Sequence, residues 1–258
     1  MVIDLDLCTG CGACRLACRL ENNLPPRPPG RPPDDWLSLV RRVNGLPFPE
    51  ADAAILPTPC MHCRKPPCVS ACPVGAARSG GPGGVVEQVY ARCIGCRACL
   101  KACPYGVRRY TLADPVWPRG MEAALTPFAS VRPKGVVEKC TLCAHRLVLD
   151  GRGAAAGRGR LVELPGGAGA AGEGTEWTPG ARAASRGKAA LNTVRPASDG
   201  RSAVLLTACA EACPTGAIRS GELAELLAGR EIFTLMPQAK TMPRVFYASS
   251  RVWLRDQS

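Results

Sequence analysis

What the chain lacks narrows its function first. Aromatic residues make up only 5% of the 258 residues, which argues against a large ordinary hydrophobic core. His62 and His145 are the only histidines; both sit beside cysteines and read as hydrogen-bonding or packing partners. No nucleophile–base pair and no phosphate-binding glycine loop is found, so the chain is expected to have no catalytic site of its own. No apolar run reaches the ~18 residues expected of a membrane span. Met1-Val2-Ile3-Asp4-Leu5-Asp6 leads directly into the first cysteine run, with no basic n-region, apolar h-region or twin-arginine signal. The chain is therefore expected to be soluble by itself and to reach a membrane only through a partner.

What the chain has is cysteine, sixteen in all, confined to four short runs. The first is Cys8-x2-Cys11-x2-Cys14-x3-Cys18, and the second is Cys60-x2-Cys63-x4-Cys68-x3-Cys72-Pro73. The third is Cys93-x2-Cys96-x2-Cys99-x3-Cys103-Pro104. The fourth is split: Cys140-x2-Cys143, a long gap, then Cys209-x3-Cys213-Pro214. Four groups of four match the thiolate demand of four [4Fe–4S] clusters, and the C-x2-C-x2-C-x3-C-P spacing is that of bacterial ferredoxins. Three cysteines of a run can hold three corners of one cube while the fourth points to the neighbouring cluster, so runs must work in pairs. Zinc prefers separated C-x2-C knuckles around one tetrahedral ion, which the packed triplets fit poorly. A disulfide framework belongs to shorter secreted chains. Ligating thiolates imply assembly in a reducing compartment.

The formal charge of +12 invites a nucleic-acid reading. Sixteen thiolates and four oxidised cores bring it down to about +4, so the clusters account for most of the basic excess. Arg15, Arg19, Arg64, Lys65, Arg97 and Lys101 flank the runs and are candidates to offset cluster charge. Trp36, Trp117, Trp177 and Trp253 read as core or interface anchors.

Short strands are expected over Val2 to Leu7, Ala54 to Leu56, Val85 to Tyr90 and Pro133 to Glu138, and a short helix over Glu222 to Ala228. Ile232 to Leu235 and Arg244 to Tyr247 read as strands or an extended tail. Strand, cluster loop, short helix and strand is ferredoxin-like logic, and the Cys-Pro-x-Gly-Ala/Val repeat after Cys72, Cys103 and Cys213 argues for duplicated units. Pro25 to Pro33 is a proline-rich connector. Gly151 to Ala203 is rich in Gly, Ala and Arg and reads as an insertion, with a hairpin around Leu161 to Leu164 as an alternative.

These motifs resemble the four-cluster iron–sulfur subunit of the dimethyl sulfoxide reductase and polysulfide reductase molybdoenzyme family. The resemblance rests on Met61-His62-Cys63 with Pro66-Pro67-Cys68, on Cys93-Ile94-Gly95-Cys96-Arg97 with Cys103-Pro104-Tyr105-Gly106, and on Glu138-Lys139-Cys140-Thr141-Leu142-Cys143-Ala144-His145-Arg146. Ala208-Cys209 to Cys213-Pro214-Thr215-Gly216-Ala217, Glu21-Asn22-Asn23 and Pro243-Arg244-Val245-Phe246-Tyr247 add to it. It implies an α+β fold of two bacterial-ferredoxin-like (βαββαβ-type) modules related by a pseudo-two-fold. Residues 1–53 with 136–150 and 204–222 would form the first and 54–135 the second, with an insertion over 151–203 and a C-terminal docking tail over 223–258. It pairs the first run with the fourth and the second with the third. Cys8, Cys11, Cys14 and Cys213 would then hold one cluster, and Cys18, Cys140, Cys143 and Cys209 its neighbour. Cys60, Cys63, Cys68 and Cys103 would hold a third; Cys72, Cys93, Cys96 and Cys99 would hold the fourth. Nitrate-reductase-like relatives replace one third-run cysteine with tryptophan; here every position is cysteine, so four cubanes are expected.

The resemblance also implies partners, namely a large molybdopterin-type catalytic subunit and an integral-membrane quinone-binding anchor. The chain would lie peripherally on the membrane through them, on the cytoplasmic face or exported with a partner. Ile232, Phe233, Leu235, Val245, Phe246, Tyr247 and Trp253 are the candidate docking anchors of the tail. The same module serves hydrogenases, formate dehydrogenases and quinol-oxidising complexes, which the motifs separate poorly. A zinc module binding nucleic acid through Arg152, Arg158, Arg160, Arg182 and Arg186 is a remote alternative. Only Trp177 is there to stack on bases, and no direct nucleic-acid contact is expected.

Overall fold

The computed structural model describes residues 1–26, 34–81, 84–149, 194–195, 204–221, 223–227, 229 and 231–256. Most of the 151–203 segment, including the alternative hairpin at Leu161 and Trp177, lies outside the described residues, as does much of the Pro25–Pro33 connector. The elements are short. In chain order they are Val2–Asp4 (β1), Ala13–Glu21 (α1), Ser38–Val43 (β2), Ala53–Thr58 (β3), Pro67–Ser70 (α2), Ala77–Ser79 (β4), Val86–Gln88 (β5), Ala98–Ala102 (α3), Arg109–Tyr110 (β6) and Val137–Glu138 (β7). Then follow Ala144–Leu149 (α4), Val194–Arg195 (β8), Val204–Leu205 (β9), Ala208–Glu211 (α5), Ile218–Arg219 (β10), Leu223–Leu227 (α6), Ile232–Phe233 (β11), Phe246–Ala248 (β12) and Val252–Asp256 (α7).

Proline explains the helix lengths. A residue before proline is pushed out of the helical region, so Cys72-Pro73, Cys103-Pro104 and Cys213-Pro214 each follow a helix of four or five residues. Cys18 is followed by Arg19, and α1 runs on to nine residues. α1 packs against α5, and α2 against α3. The cysteine-bearing helices therefore meet as run one with run four and run two with run three.

One four-stranded sheet has the order β10-β1-β12-β11, with β1 parallel to β12 and antiparallel to β10. The other pairs are antiparallel: β2 with β3, β4 with β5, β6 with β7 and β8 with β9. The main core gathers Ile3, Leu5, Trp36, Leu37, Leu56, Met61, Tyr247 and Leu254 around Cys14, Cys18, Cys60, Cys140 and Cys209. A second, smaller one consists of Cys68, Val86, Cys99 and Val137.

The tail corrects one expectation. Val245 and Tyr247, expected as docking anchors, are fully buried, and the Tyr247 hydroxyl donates to the Pro57 carbonyl at 3.0 Å. With a side-chain period of two, alternate residues of the tail strand face inward, and β1 would otherwise have an open edge. Ile232, Phe233, Leu235, Phe246 and Trp253 are half-buried, and Trp253 Nε1 donates to Asp52 at 2.9 Å. The β2–β3 hairpin was not read from the sequence either. Its first strand, with the pattern Ser-Leu-Val-Arg-Arg-Val, alternates weakly and is at most half-buried.

Candidate metal centres

Each run begins with the same turn. The residue before the second cysteine has a positive φ in all four: Gly10 at 70°, His62 at 42°, Gly95 at 69° and Leu142 at 52°. This left-handed residue curls the C-x2-C loop. Glycine is required at position 95, because a Cβ there would strike the Gly135 carbonyl. The other end of a run is equally regular. In Cys-Pro-x-Gly the glycine sits at φ 61°, 60° and 65°, and its N–H returns to the carbonyl of Cys72, Cys103 or Cys213 at 3.2–3.4 Å.

The folded chain gathers the thiols into fours. Cys11 and Cys213 are near enough to Cys8 and Cys14 for their charges to disfavour ionisation of those two thiols, and Cys18 feels Cys140, Cys209 and Cys143 in the same way. Cys60, Cys63, Cys68 and Cys103 line one cavity. Cys72, Cys93, Cys96 and Cys99 line another. All sixteen cysteines are free thiols. Among the described residues no three metal-binding side chains close on a single ion; the sulfurs of the Cys60 and Cys72 sets border cavities instead.

The fours differ in setting. Burial, and then the neighbouring sulfurs, pushes the Cys18 thiol far up; burial likewise pushes Cys140, Cys143 and Cys209 up to about 12. Cys72 and Cys213 go the other way. Burial opposes it, but backbone N–H groups of Ala77, Val74, Ala76 and Gly75 around Cys72, and of Ile218, Thr215 and Ala217 around Cys213, lower both thiols. These donors are the Cys-Pro-x-Gly turns. Cys18 has no such turn, and the side chain of Asn22 lies 3.7 Å from its sulfur.

Several cations near the sulfurs are already paired. Arg19 binds Asp35 at 2.6 Å and Asp34 at 3.2 Å, so this residue, expected to offset cluster charge, is instead matched by carboxylates. Arg97 lies over the Tyr110 ring at 4.0 Å. Arg146 clamps Glu21 at 2.6 and 2.8 Å and Glu211 at 2.9 Å, tying α1 to run four. His145 adds a 2.6 Å contact to Glu21. Burial opposes Glu21 ionisation, but Arg146 and His145 hold its carboxyl down to about 2. His62 is fully buried and kept neutral, first by burial and then by the Lys139 charge. Its Nδ1 accepts from Val86 N–H at 3.1 Å, which leaves Nε2 to donate to the Cys140 carbonyl at 3.0 Å. It thus pins run two to run four by hydrogen bonding, without using a nitrogen as a metal ligand. Sequence reading passed over Arg108 and Lys139. Lys139 Nζ donates to the carbonyls of Val86 and of Cys140, the latter at 2.9 Å.

The site suits an iron–sulfur core. Four thiolates per set supply one ligand per iron. Backbone N–H groups point at sulfur: Ala77 at Cys72 and Val137 at Cys93, both at 3.4 Å, and Leu142 at Cys140 at 3.3 Å. Arg108 lies on the wall of the Cys60 cavity with Nη2 buried and making no well-formed hydrogen bond, its guanidinium turned to the Cys68 and Cys99 thiols, where a sulfide-rich core would sit. Fold and thiols together define an electron-transfer protein of the ferredoxin type.

Comparison with known proteins makes the assignment narrower. Residues 7–76 and residues 51–119 each match a family model described as a 4Fe-4S dicluster domain. The menaquinone reductase iron-sulfur cluster-binding subunit of Nitratidesulfovibrio vulgaris (strain Hildenborough) is 43% identical over 270 residues, 99% of this chain and 90% of the relative. The arsenate respiratory reductase iron-sulfur subunit ArrB of Shewanella sp. (strain ANA-3) is 34% identical over 57% of this chain and 71% of its own length. A putative dimethyl sulfoxide reductase iron-sulfur subunit of Halobacterium salinarum is 44% identical over 35% of this chain and 33% of its own length. The chain belongs to the iron–sulfur electron-transfer subunits of the dimethyl sulfoxide reductase family.

Proposed function

We propose that this chain carries four [4Fe–4S] clusters in a line and passes electrons between a large molybdopterin-type catalytic subunit and a membrane quinone-binding subunit. The ligand sets are Cys8, Cys11, Cys14 and Cys213; Cys18, Cys140, Cys143 and Cys209; Cys60, Cys63, Cys68 and Cys103; and Cys72, Cys93, Cys96 and Cys99. The observation that carries the reading is the interleaving of the fours, three thiols from one run completed by a fourth from its partner run. When bound, each core takes up and returns one electron.

The order of the line follows from which sulfurs feel one another across sets. Cys14 acts on Cys209, and Cys60 acts on Cys140; Arg108 faces both Cys68 and Cys99. The Cys8 set thus adjoins the Cys18 set, then the Cys60 set, then the Cys72 set. Cys11 and Cys96 are exposed, one in each terminal set, where electrons can enter and leave. All four thiols of the Cys18 set are buried, which keeps water from the middle of the line.

The repeated Cys-Pro-x-Gly turns support two halves related by a pseudo-two-fold, with residues 223–258 joined to the first. Among the described residues no helix is long and apolar enough to cross a membrane, so membrane association is assigned to the partner. A quinone-linked partner is favoured because the relative that matches from end to end is named a menaquinone reductase subunit. Affinity isolation from native membranes tests this. A large molybdopterin-type subunit and a multi-span subunit should co-purify. A stable monomer that reduces a small substrate unaided would end the reading.

A further inference from the structure

We propose that Arg108 is the residue that sets the reduction potentials of the second half, one uncompensated positive charge raising the potentials of both clusters that flank it. The inference rests on the ligand sets proposed above.

Position makes Arg108 unusual. Counted from the cysteine that opens each Cys-Pro-x-Gly turn, it stands fifth, where the other two turns have Ala77 and Ile218. Those residues are 2% and 3% exposed and apolar; Arg108 is 4% exposed and charged. A buried arginine in an apolar position of a repeated turn is costly unless something answers its charge.

Among the described residues no carboxylate does. Arg132 pairs with Glu138 at 2.7 Å, Arg146 with Glu21 and Glu211, and Arg19 with Asp35. Arg108 Nη1 donates to neutral Gln88 Oε1 at 2.9 Å, and buried Nη2 has no well-formed hydrogen bond, only the Cys68 and Cys99 thiols for the guanidinium to reach towards. The groups its charge acts on are the sulfurs of Cys68, Cys99 and Cys60. Cys68 and Cys60 belong to one set and Cys99 to the next, so a single guanidinium answers two clusters.

A guanidinium cannot lose its proton in a protein, so the charge is fixed. Reduction adds one electron and no proton to each core, making it one charge more negative. A fixed cation in a poorly solvated site stabilises the reduced form more than the oxidised form and so raises the potential. Because the charge lies between the two sets, it moves them together and leaves the driving force between them little changed.

The test is an EPR-monitored redox titration of the intact complex, with dithionite as reductant and ferricyanide as oxidant, comparing wild type, Arg108→Met and Arg108→Lys. In Arg108→Met, two of the four clusters should become harder to reduce by at least tenfold in the one-electron equilibrium, ~59 mV. The other two should move by less than threefold. Arg108→Lys, which keeps the charge, should restore both to within threefold of wild type. If Arg108→Met fails to load its clusters, Arg108→Lys decides: full loading at wild-type potentials supports the charge requirement, and failure to load overturns it. Unmoved potentials in a loaded Arg108→Met, a uniform shift of all four clusters, or a lysine variant that behaves like methionine also overturns it. Iron and sulfide counts on the wild-type protein test the four-cluster reading separately, and Cys213→Ser and Cys72→Ser test the ligand sets, so an unmoved potential in a loaded Arg108→Met counts against Arg108 alone.

Discussion

The two halves hold the same kind of thiol quartet by different means. The half built on runs one and four has the four-stranded sheet and the long helix α1, and it supplies most of a core of eighteen buried residues, to which the other half adds Ala54, Leu56, Cys60, Met61 and Val107. Away from that core, the half built on runs two and three has two small hairpins, one of them borrowing β7, and a cluster of four buried residues, Cys68, Val86, Cys99 and Val137. One half packs much as an ordinary domain does. The outer end of the other, around Cys68 and Cys99, has so little apolar surface to bury that iron–sulfur bonds must act as its core, as metals do in other small domains. Their charges differ in the same sense. Around the first half's sulfurs Arg19 and Arg146 are matched by carboxylates, whereas the second half keeps Arg108 unmatched.

Removing iron tests this contrast hardest. Anaerobic chelation should abolish amide-exchange protection at Val86 and Val137 while Ile3 and Tyr247 keep a measurable part of theirs. Simultaneous loss in both places would show that the halves are equally dependent on metal.

Ligand replacements come next in size. Cys213→Ser should disturb the cluster of Cys8, Cys11 and Cys14, and Cys72→Ser that of Cys93, Cys96 and Cys99. Each variant should change one EPR signal, and a different one. If Cys213→Ser altered the cluster of Cys140 and Cys209 instead, the interleaving would be wrong.

Glu21 sharpens the comparison on the packed side. Glu21→Gln leaves Arg146 without its main partner and should cost roughly 3 kcal/mol of unfolding free energy, read from denaturant titration. Its folded pKa is about 2, below the value of about 4.3 for a free glutamate. The folded state therefore binds fewer protons at this site. The contribution is fully present above about pH 4.3 and is lost as pH falls towards 2. In Glu21→Gln that part of the acid dependence should disappear.

The smallest effects concern the loop turns. A Cβ on Gly12 (φ 82°) would meet only Leu39 Cδ1 at 4.0 Å, so Gly12→Ala should cost about 1 kcal/mol from the left-handed backbone alone. The equivalent position in run three already holds Arg97 at φ 62°. Gly95→Ala adds a clash with the Gly135 carbonyl and should cost clearly more in the same titration. Equal costs would mean that the backbone yields at Gly135.

The sequence made the centres more legible than the scaffold. Cysteine spacing is fixed by iron–sulfur chemistry, so run boundaries and helix ends at Cys72, Cys103 and Cys213 could be read from cysteine and proline alone. The tail could not. Residues 232–235 and 244–247 read as strands, but nothing local says that a strand near the end of the chain lies parallel to β1. The same holds for Glu21, whose partners Arg146 and Glu211 come from the split fourth run, and for Arg108, whose charge has meaning only once Cys68 and Cys99 are side by side. Long-range pairing leaves no mark in a short window of residues.

The most direct test of the electron-wire reading is the iron and acid-labile sulfide content of the anaerobically isolated protein, measured with its Mössbauer spectrum. Four Cys₄ sites should give about 16 irons and about 16 sulfides per chain, all in [4Fe–4S] environments. Stoichiometric zinc without inorganic sulfide, or about half that iron, would contradict it.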